Sequence, residues 1–538
     1  VKLPEPAKKV YRFFSRFPAL WCFASGAGYS VAYFYPAAFC LCFLFLFLFY
    51  LCLFKKNPDG SVGLTTSLFK RTFFFGIGFF VPLYSWFFAL YPFEAFGFTP
   101  AEGLFIVFAA IIGLSSLHSA VMAAVFLLSK LYPKKIYLAP AGFAFNMMIF
   151  EYVNSRGSAA FPWGTAALGQ YRFSPFIQNI SLFGPLFITL SLSFIAGYAS
   201  LFALSRGKKH LLTSAAAFIL PLITGFALLL TPTEKTHPIK AASLQGDIPS
   251  MEKWDKEKKN KIIDEYFALA KEAAESGGTL IVLPESAIPY GYTDEVEERF
   301  ALLAKEYTAT VLMSSVTTRG DKTYNSVFAL NYDSSPSEIY SKQHLVPFGE
   351  YLPLSGLFTK LLPFVNGLNL AKEPFSPGES GVTITLPDST KLGCLVCFDS
   401  IFPSLARDSV NSGGELLIVS TNDSWFKDSS AVYQHLGHSA LRAIETGKYV
   451  VRAANTGISA FITPKGEILS PTKPLTKAIT ICTVYPNKTK TLYARVGDII
   501  MAAPVLFVIY SLWLWVKNRK NPEKSARLRT KAKNATKG

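Results

Sequence analysis

Long apolar runs, separated by short basic or polar stretches, fill the first 232 residues of the chain. A bilayer core about 30 Å thick needs about 20 apolar residues of helix to cross it. Runs at 17–35, 36–54, 71–91, 101–129, 137–155, 175–203, 210–232 and 493–516 are long enough, so the pattern predicts eight membrane helices, seven before residue 233 and one after residue 492. The first two meet at Pro36, and the second is almost unbroken Phe, Leu and Cys. Apolar runs continue from the start, so a cleaved signal peptide is not expected.

Between 233 and 492 the pattern changes. Short apolar runs at 279–283, 310–315, 393–397 and 416–420 predict buried strands, and 252–276 and 431–446 predict helices. The expected organisation is a transmembrane helical domain at 1–232, an α/β domain at 233–492, a C-terminal membrane helix at 493–516 and a basic cytoplasmic tail at 517–538. About 260 residues is enough for the middle domain to have its own core.

Composition supports this division. The chain is 51% hydrophobic with 49 Phe and a mean hydropathy of +0.30, too apolar for an ordinary water-soluble protein. The net charge of +17 would suggest nucleic acid were it not so unevenly placed. Residues 1–16 hold Lys2, Lys8, Lys9, Arg12 and Arg16, and 517–538 hold nine Lys/Arg, whereas 241–490 hold 24 Lys/Arg against 28 Asp/Glu. The basic excess flanks the membrane, so no nucleic-acid partner is expected.

Basic loops also set the orientation. Lys55, Lys56, Lys70 and Arg71 lie between the second and third runs, Lys130, Lys134 and Lys135 between the fourth and fifth, and Arg206, Lys208 and Lys209 between the sixth and seventh. The intervening loops hold only Arg156 and Arg172. Eight spans then put both termini on the cytoplasmic side and residues 233–492 opposite, which in a bacterium is the periplasm or the outer surface.

Of the seven cysteines, Cys22, Cys40, Cys42 and Cys52 lie in membrane-type sequence, which leaves Cys394, Cys397 and Cys482 with no disulfide pattern. Cys394 and Cys397 point to opposite faces if both are on a strand, so they do not form a metal pair, and Cys394 is expected in the core. His435 and His438 lack an HExxH context and are expected to be structural. No metal, cofactor or nucleotide-phosphate loop is expected.

Three strand ends carry reactive groups: Glu285 after Leu283-Pro284, Lys342 before a Pro/Gly turn, and Cys397 after Leu395-Val396. Each has an ordinary alternative, respectively a paired carboxylate, a surface charge and a core thiol. Together they suit acyl transfer. A thiol with a pKa of about 8.5 needs a base or a cation to become a nucleophile. A carboxylate can take its proton, and a lysine can stabilise the tetrahedral oxyanion, a contribution of about 3–4 kcal/mol for a well-aimed donor.

The order and spacing of Glu285, Lys342 and Cys397 resemble the Glu–Lys–Cys triad of the nitrilase, or carbon–nitrogen hydrolase, superfamily. The chain resembles its membrane branch more closely, the bacterial apolipoprotein N-acyltransferases. That resemblance rests on Phe161-Pro162-Trp163, Gln245-Gly246-Asp247-Ile248-Pro249 with Trp254, and Pro347-Phe348-Gly349-Glu350-Tyr351-Leu352-Pro353. It extends to Asn422-Asp423-Ser424-Trp425-Phe426, Gln434-His435, Arg442-Ala443-Ile444-Glu445 and Arg452-Ala453-Ala454-Asn455-Thr456-Gly457.

The resemblance implies an α-β-β-α sandwich on a polytopic helical membrane domain. It implies a ping-pong reaction in which Cys397 takes the sn-1 acyl chain of a phospholipid, phosphatidylethanolamine being the expected donor. The thioester then passes the chain to the α-amine of a diacylglyceryl-cysteine apolipoprotein. It assigns Glu285 as general base and acid and Lys342 as oxyanion stabiliser, with Glu350 supporting Lys342 and Trp254 shaping the substrate site. The sequence departs from the family after the nucleophile, where Phe398 and Asp399 stand in place of Tyr and Glu. Activity is expected to survive this change.

Other readings use the same residues. A membrane-anchored amidase would share the triad but let water attack the thioester. A silent scaffold or transporter is disfavoured by the intact triad. Leu357, Phe358, Leu361, Leu362, Phe364 and Val365 suggest an apolar arm that admits acyl chains, with core packing as the alternative. Glu151 and Asn154, near the end of a span, are expected either to serve function or to pair with Arg156 or Arg172.

Overall fold

The computed structural model describes residues 16–93, 98–133, 135–157, 160–347, 349–351 and 375–520, with side chains up to 517. The apolar-arm segment at 354–370 lies outside the described residues, as do Phe348 and the tail beyond 520.

The membrane part comprises α1 (Pro18–Phe34), α2 (Cys40–Leu53), α3 (Leu68–Leu83), α4 (Pro100–Phe126), α5 (Ala139–Asn154), α6 (Leu186–Ser205) and α7 (Lys208–Leu230). Six helical stretches among the described residues are long and apolar enough to cross a membrane: Leu68–Leu90, Pro100–Lys130, Ile136–Asn154, Leu186–Ser205, Lys208–Leu230 and Ile499–Lys517.

The eight expected spans are therefore not all matched in length. The turn Pro36–Ala38 separates α1 from α2. The latter has 14 residues and rises about 21 Å, short of a bilayer core. The expected span at 175–203 begins late, because Gly184 and Pro185 separate the short turns Ser174–Ile177 and Ile180–Phe183 from α6.

Small residues bring α1 and α3 into close contact. A Cβ on Gly26 would lie 2.0 Å from the Phe75 carbonyl oxygen, and one on Gly78 would lie 2.1 Å from that of Phe23. Such backbone approach holds membrane helices together where lipid offers no hydrophobic drive.

The α/β part follows in chain order: β1 (Ile239–Gln245), α8 (Lys259–Glu275), β2 (Leu280–Val282), α9 (Asp294–Glu306), β3 (Thr310–Arg319), β4 (Lys322–Leu330), β5 (Tyr340–Ser341), β6 (Thr383–Thr385) and β7 (Lys391–Val396). It continues with α10 (Pro403–Asn411), β8 (Leu416–Thr421), α11 (Ser430–Thr446), β9 (Val450–Ala454), β10 (Ala460–Ile462), β11 (Ile468–Leu469) and β12 (Ala478–Val484), before the C-terminal α12 (Ala502–Lys520).

One sheet runs β12-β1-β2-β3-β4-β5 and the other β11-β10-β9-β8-β7-β6. At the centre of each, three strands are parallel, β1-β2-β3 and β7-β8-β9, and the helices make the crossovers. Such strands are buried on both faces, which explains their nearly unbroken apolar sequence.

The inner faces meet through Val282, Leu312, Val396, Ile418 and Val451. The outer face of the first sheet packs Ile281 and Val311 against Tyr266 of α8 and Phe300 of α9. The outer face of the second packs Leu395, Leu417 and Val419 against α10 and α11. The result is the α-β-β-α order.

The α10/α11 layer does not end in water. Its core is continuous with Trp163, Leu168, Ile177 and Ile180 of the membrane part. Trp163 Nε1 donates to Gln434 Oε1 at 2.6 Å, and Gly437 lies where a Cβ would meet Leu168 at 2.8 Å. At this junction Glu151 accepts from Ala166 N–H and the Thr189 hydroxyl, while Arg156 pairs with Asp498 at 2.7 Å. Neither arginine considered for Glu151 pairs with it. Asn154 donates to the Phe161 carbonyl.

The helix expected at 252–276 is divided. A short turn at Ser250–Lys253 is followed by a 3-10 turn at Lys256–Lys258 and then by α8. The break turns Lys253 inward, fully buried, and leaves Trp254 40% exposed.

Candidate active site

Strand ends from both sheets converge. Glu285 follows β2, Lys342 follows β5, Cys397 follows β7 and Asn422 follows β8. The Lys342 ammonium is almost wholly buried and lies between two carboxylates, 3.3 Å from Glu285 Oε1 and 2.8 Å from Glu350 Oε1. Burial disfavours its charge, but Glu285 and Glu350 outweigh this and raise its pKa.

Glu285 is held by more than Lys342. Asn325 Nδ2 donates to its Oε1 at 2.7 Å and the Asn422 N–H to its Oε2 at 2.9 Å. The second oxygen of Glu350 accepts from Val346 N–H at 2.8 Å, so Glu350 ties the turn after Lys342 to its ammonium.

Cys397 opens the turn Cys397–Ile401 with φ +49°, a left-handed conformation costing about 1–3 kcal/mol for a residue with a Cβ. Its neighbours hold it there. Ser400 Oγ donates to the Cys397 carbonyl at 2.7 Å, and His435 Nε2 lies 3.2 Å from the same oxygen. Behind it, His435 Nδ1 sits 2.8 Å from Asp423 Oδ1, whose other oxygen accepts from Arg452 at 2.7 Å. Burial, with Glu285 next, pushes the Cys397 thiol well up, and Lys342 opposes this. The resting group is a thiol that needs a base.

Asp399 joins this turn to the lysine segment. It accepts from Tyr340 OH at 2.8 Å, His344 N–H at 2.7 Å and Gln343 N–H at 3.3 Å, and also from Val396 N–H at 3.2 Å. Phe398 lies between aromatic rings, its centroid 5.8 Å from Phe161 and 5.2 Å from Phe402. Trp254, partly exposed, meets Tyr290 edge-on at 5.6 Å. Cys394 is in the inter-sheet core.

Burial raises Asp399 to about 6, against the pull of His344 N–H and Lys342. Its folded value exceeds the unfolded one of about 3.9. The stability it contributes is therefore present below the unfolded value and lost as pH rises through about 6. Protonation weakens its grip on the lysine segment without unfolding the domain. Activity is expected to fall reversibly between pH 7 and 5 while the thermal midpoint stays or rises. Circular dichroism beside the pH–rate profile checks this, and a midpoint that drops in step with the rate would contradict it.

The geometry unites Glu285, Lys342 and Glu350 and links Asp399 to the Cys397 turn. The roles of Asn325, Asn422, Lys253 and the Asp423–His435–Arg452 chain were not visible in sequence, although Asn422, Asp423, His435 and Arg452 stand in motifs singled out there. His435, expected to be structural, lies 3.2 Å from the Cys397 carbonyl oxygen.

Comparisons with known proteins agree with this architecture. The carbon-nitrogen hydrolase family matches residues 240–493, and the apolipoprotein N-acyltransferase N-terminal domain family matches residues 25–198. The apolipoprotein N-acyltransferase of Geobacter metallireducens is 35% identical over 370 residues, covering 65% of this chain and 69% of that one. The apolipoprotein N-acyltransferase of Rhodopseudomonas palustris is 30% identical over 472 residues, covering 83% and 85%. A solved carbon-nitrogen hydrolase from Helicobacter pylori aligns over 54% of this chain and 99% of its own, at 18% identity and a TM-score of 0.37. The chain belongs to the apolipoprotein N-acyltransferase family.

Proposed function

We propose that this membrane acyltransferase moves a fatty acyl chain from a phospholipid to the N-terminal amine of a diacylglyceryl-cysteine lipoprotein through a thioester on Cys397. Glu285 takes the thiol proton as the sulfur attacks the sn-1 ester carbonyl. Lys342 stabilises the oxyanion. The C–O bond breaks, Glu285 returns the proton to the glycerol oxygen, and a lysophospholipid leaves. The lipoprotein amine then attacks the thioester, Glu285 takes a proton from its nitrogen, and as the C–S bond breaks Glu285 returns that proton to sulfur, giving an amide, the Cys397 thiol and an ionised Glu285. Glu350 keeps Lys342 in place, Trp254 shapes the entrance, and Phe398 and Asp399 pack and brace the nucleophile turn.

The observation that carries this reading is Lys342 between Glu285 and Glu350 at the strand ends from which Cys397 projects, in a domain whose helical layer is fused to the membrane bundle. Phosphatidylethanolamine is the first donor to try. With α1 and α2 counted as short spans beside the six long helices, eight crossings keep the basic loops on one side. Residues 233–492 then face the periplasm from the inner membrane, consistent with the alternation of basic loops.

The test is to incubate the purified protein with acyl-labelled phospholipid. A hydroxylamine-labile label is expected on the parent and none on Cys397→Ala, and a diacylglyceryl-cysteine peptide is expected to discharge it. Discharge by water at the same rate would favour an amidase-like hydrolase, and a full label on Cys397→Ala would refute the thioester.

A further inference from the structure

Lys253 is fully buried, and its Nζ donates to the backbone carbonyl of Glu285 at 2.5 Å. Among the described residues this is its one hydrogen bond, although an ammonium carries three donors. A buried charge with a single acceptor is costly, and an aliphatic side chain would fill the space more favourably if packing were its purpose.

Its surroundings are those of the reaction. The carbonyl it holds precedes Ser286, where φ is +47°, so it grips the chain where the backbone turns left-handed after the base. Around it, Asn455 Nδ2 donates to the Ile248 carbonyl and to Asn422 Oδ1, and Asn422 N–H donates to the Glu285 carboxylate. Lys253 thus holds Glu285 at its main chain while Asn325, Asn422 and Lys342 hold its carboxylate.

We propose that Lys253 is a positioning residue for acyl transfer, fixing the Glu285 backbone and supplying a second buried positive charge beside the Cys397–Glu285 pair. With Lys253 and Lys342 charged, one negative charge can pass from Glu285 to sulfur to oxyanion beside two buried cations instead of one. Removing Lys253 takes away one of those cations and holds protons on the pair. Burial lowers Lys253 to about 8, while Glu285 and Cys397 pull it back up, as expected for a cation that faces both.

This inference rests on the proposed thioester chemistry, and its test separates the two. Full-length parent, Lys253→Gln, Lys253→Met and Lys253→Arg proteins in detergent are alkylated with iodoacetamide across a pH series, with Cys397→Ala as the background from other thiols. The Gln and Met variants are expected to raise the midpoint of Cys397 alkylation by about one pH unit or more and to lower the acylation rate with KM unchanged. The Arg variant is expected to keep the parental midpoint.

Unshifted midpoints in the Gln and Met proteins would overturn the proposal, as would an Arg variant shifted as far as Gln. Failure of every variant to fold, judged by circular dichroism, would mark Lys253 as structural and overturn it too. If the parent itself takes no hydroxylamine-labile acyl label, the proposed function fails. A normal label with an unshifted midpoint removes only the role of Lys253.

Discussion

Replacing Lys342 with Met is expected to slow formation of the acyl-enzyme by about a thousandfold. Part of the loss is the oxyanion donor, worth about 3–4 kcal/mol where the donor is well aimed. The rest concerns the base. The ammonium lies 3.3 Å from Glu285 and 2.8 Å from Glu350, and all three groups are buried or nearly so. Without the cation the two carboxylates face one another, and at least one takes a proton. A protonated Glu285 cannot accept from the thiol. Lys342→Arg is not expected to rescue, since the ammonium sits between two carboxylates at 3.3 and 2.8 Å, an arrangement of a compact point charge that a planar guanidinium does not reproduce. Single-turnover acylation of Cys397 measures the effect, and a Met variant within tenfold of the parent would exclude Lys342 from the chemistry.

The second large effect is on stability. Arg452→Met is expected to cost about 3–5 kcal/mol, because it strands a buried carboxylate. Asp423 is fully buried, 2.7 Å from Arg452 and 2.8 Å from His435. Burial would raise its pKa, but Arg452 and then His435 hold it down at about 2. The folded value lies below the unfolded one, so the stability it contributes is present above about 3.9 and lost as pH falls through about 2. At neutral pH the largest part of that contribution comes from the guanidinium. Thermal unfolding in detergent is expected to move down on the order of 10 °C. Adding Asp423→Leu to Arg452→Met removes the stranded charge and is expected to recover much of the loss. An unchanged midpoint in the single variant would show the pair to be unimportant.

The apolar pattern made the membrane helices and the parallel strands visible, because both are apolar on every side over a predictable length. It overestimated α2, where Phe and Leu continue through a proline turn that ends one helix and starts another. It also joined 252–276 into one helix, since charge and Ala content do not reveal that Lys253 must turn inward toward Glu285. The candidate residues Glu285, Lys342 and Cys397 were visible because each follows a strand. Their supports were not. Glu285 and Asn422 are 137 positions apart, and only the sandwich of two sheets brings them together. His435 resembles any helical histidine until α11 is laid against the turn that begins at Cys397.

The shared core of α11 and the membrane bundle has a practical outcome for anyone wishing to study the hydrolase fold alone. Cutting the chain near residues 233 and 492 would strip the cover from Gly437 and His438 and leave an oily scar on the second sheet's helical layer. His435, which touches the Cys397 carbonyl, sits on that same helix, between Gln434 and Leu436. A soluble fragment would therefore lose its footing next to its own sulfur, and enzymology on this protein belongs in micelles or nanodiscs with all its helices in place.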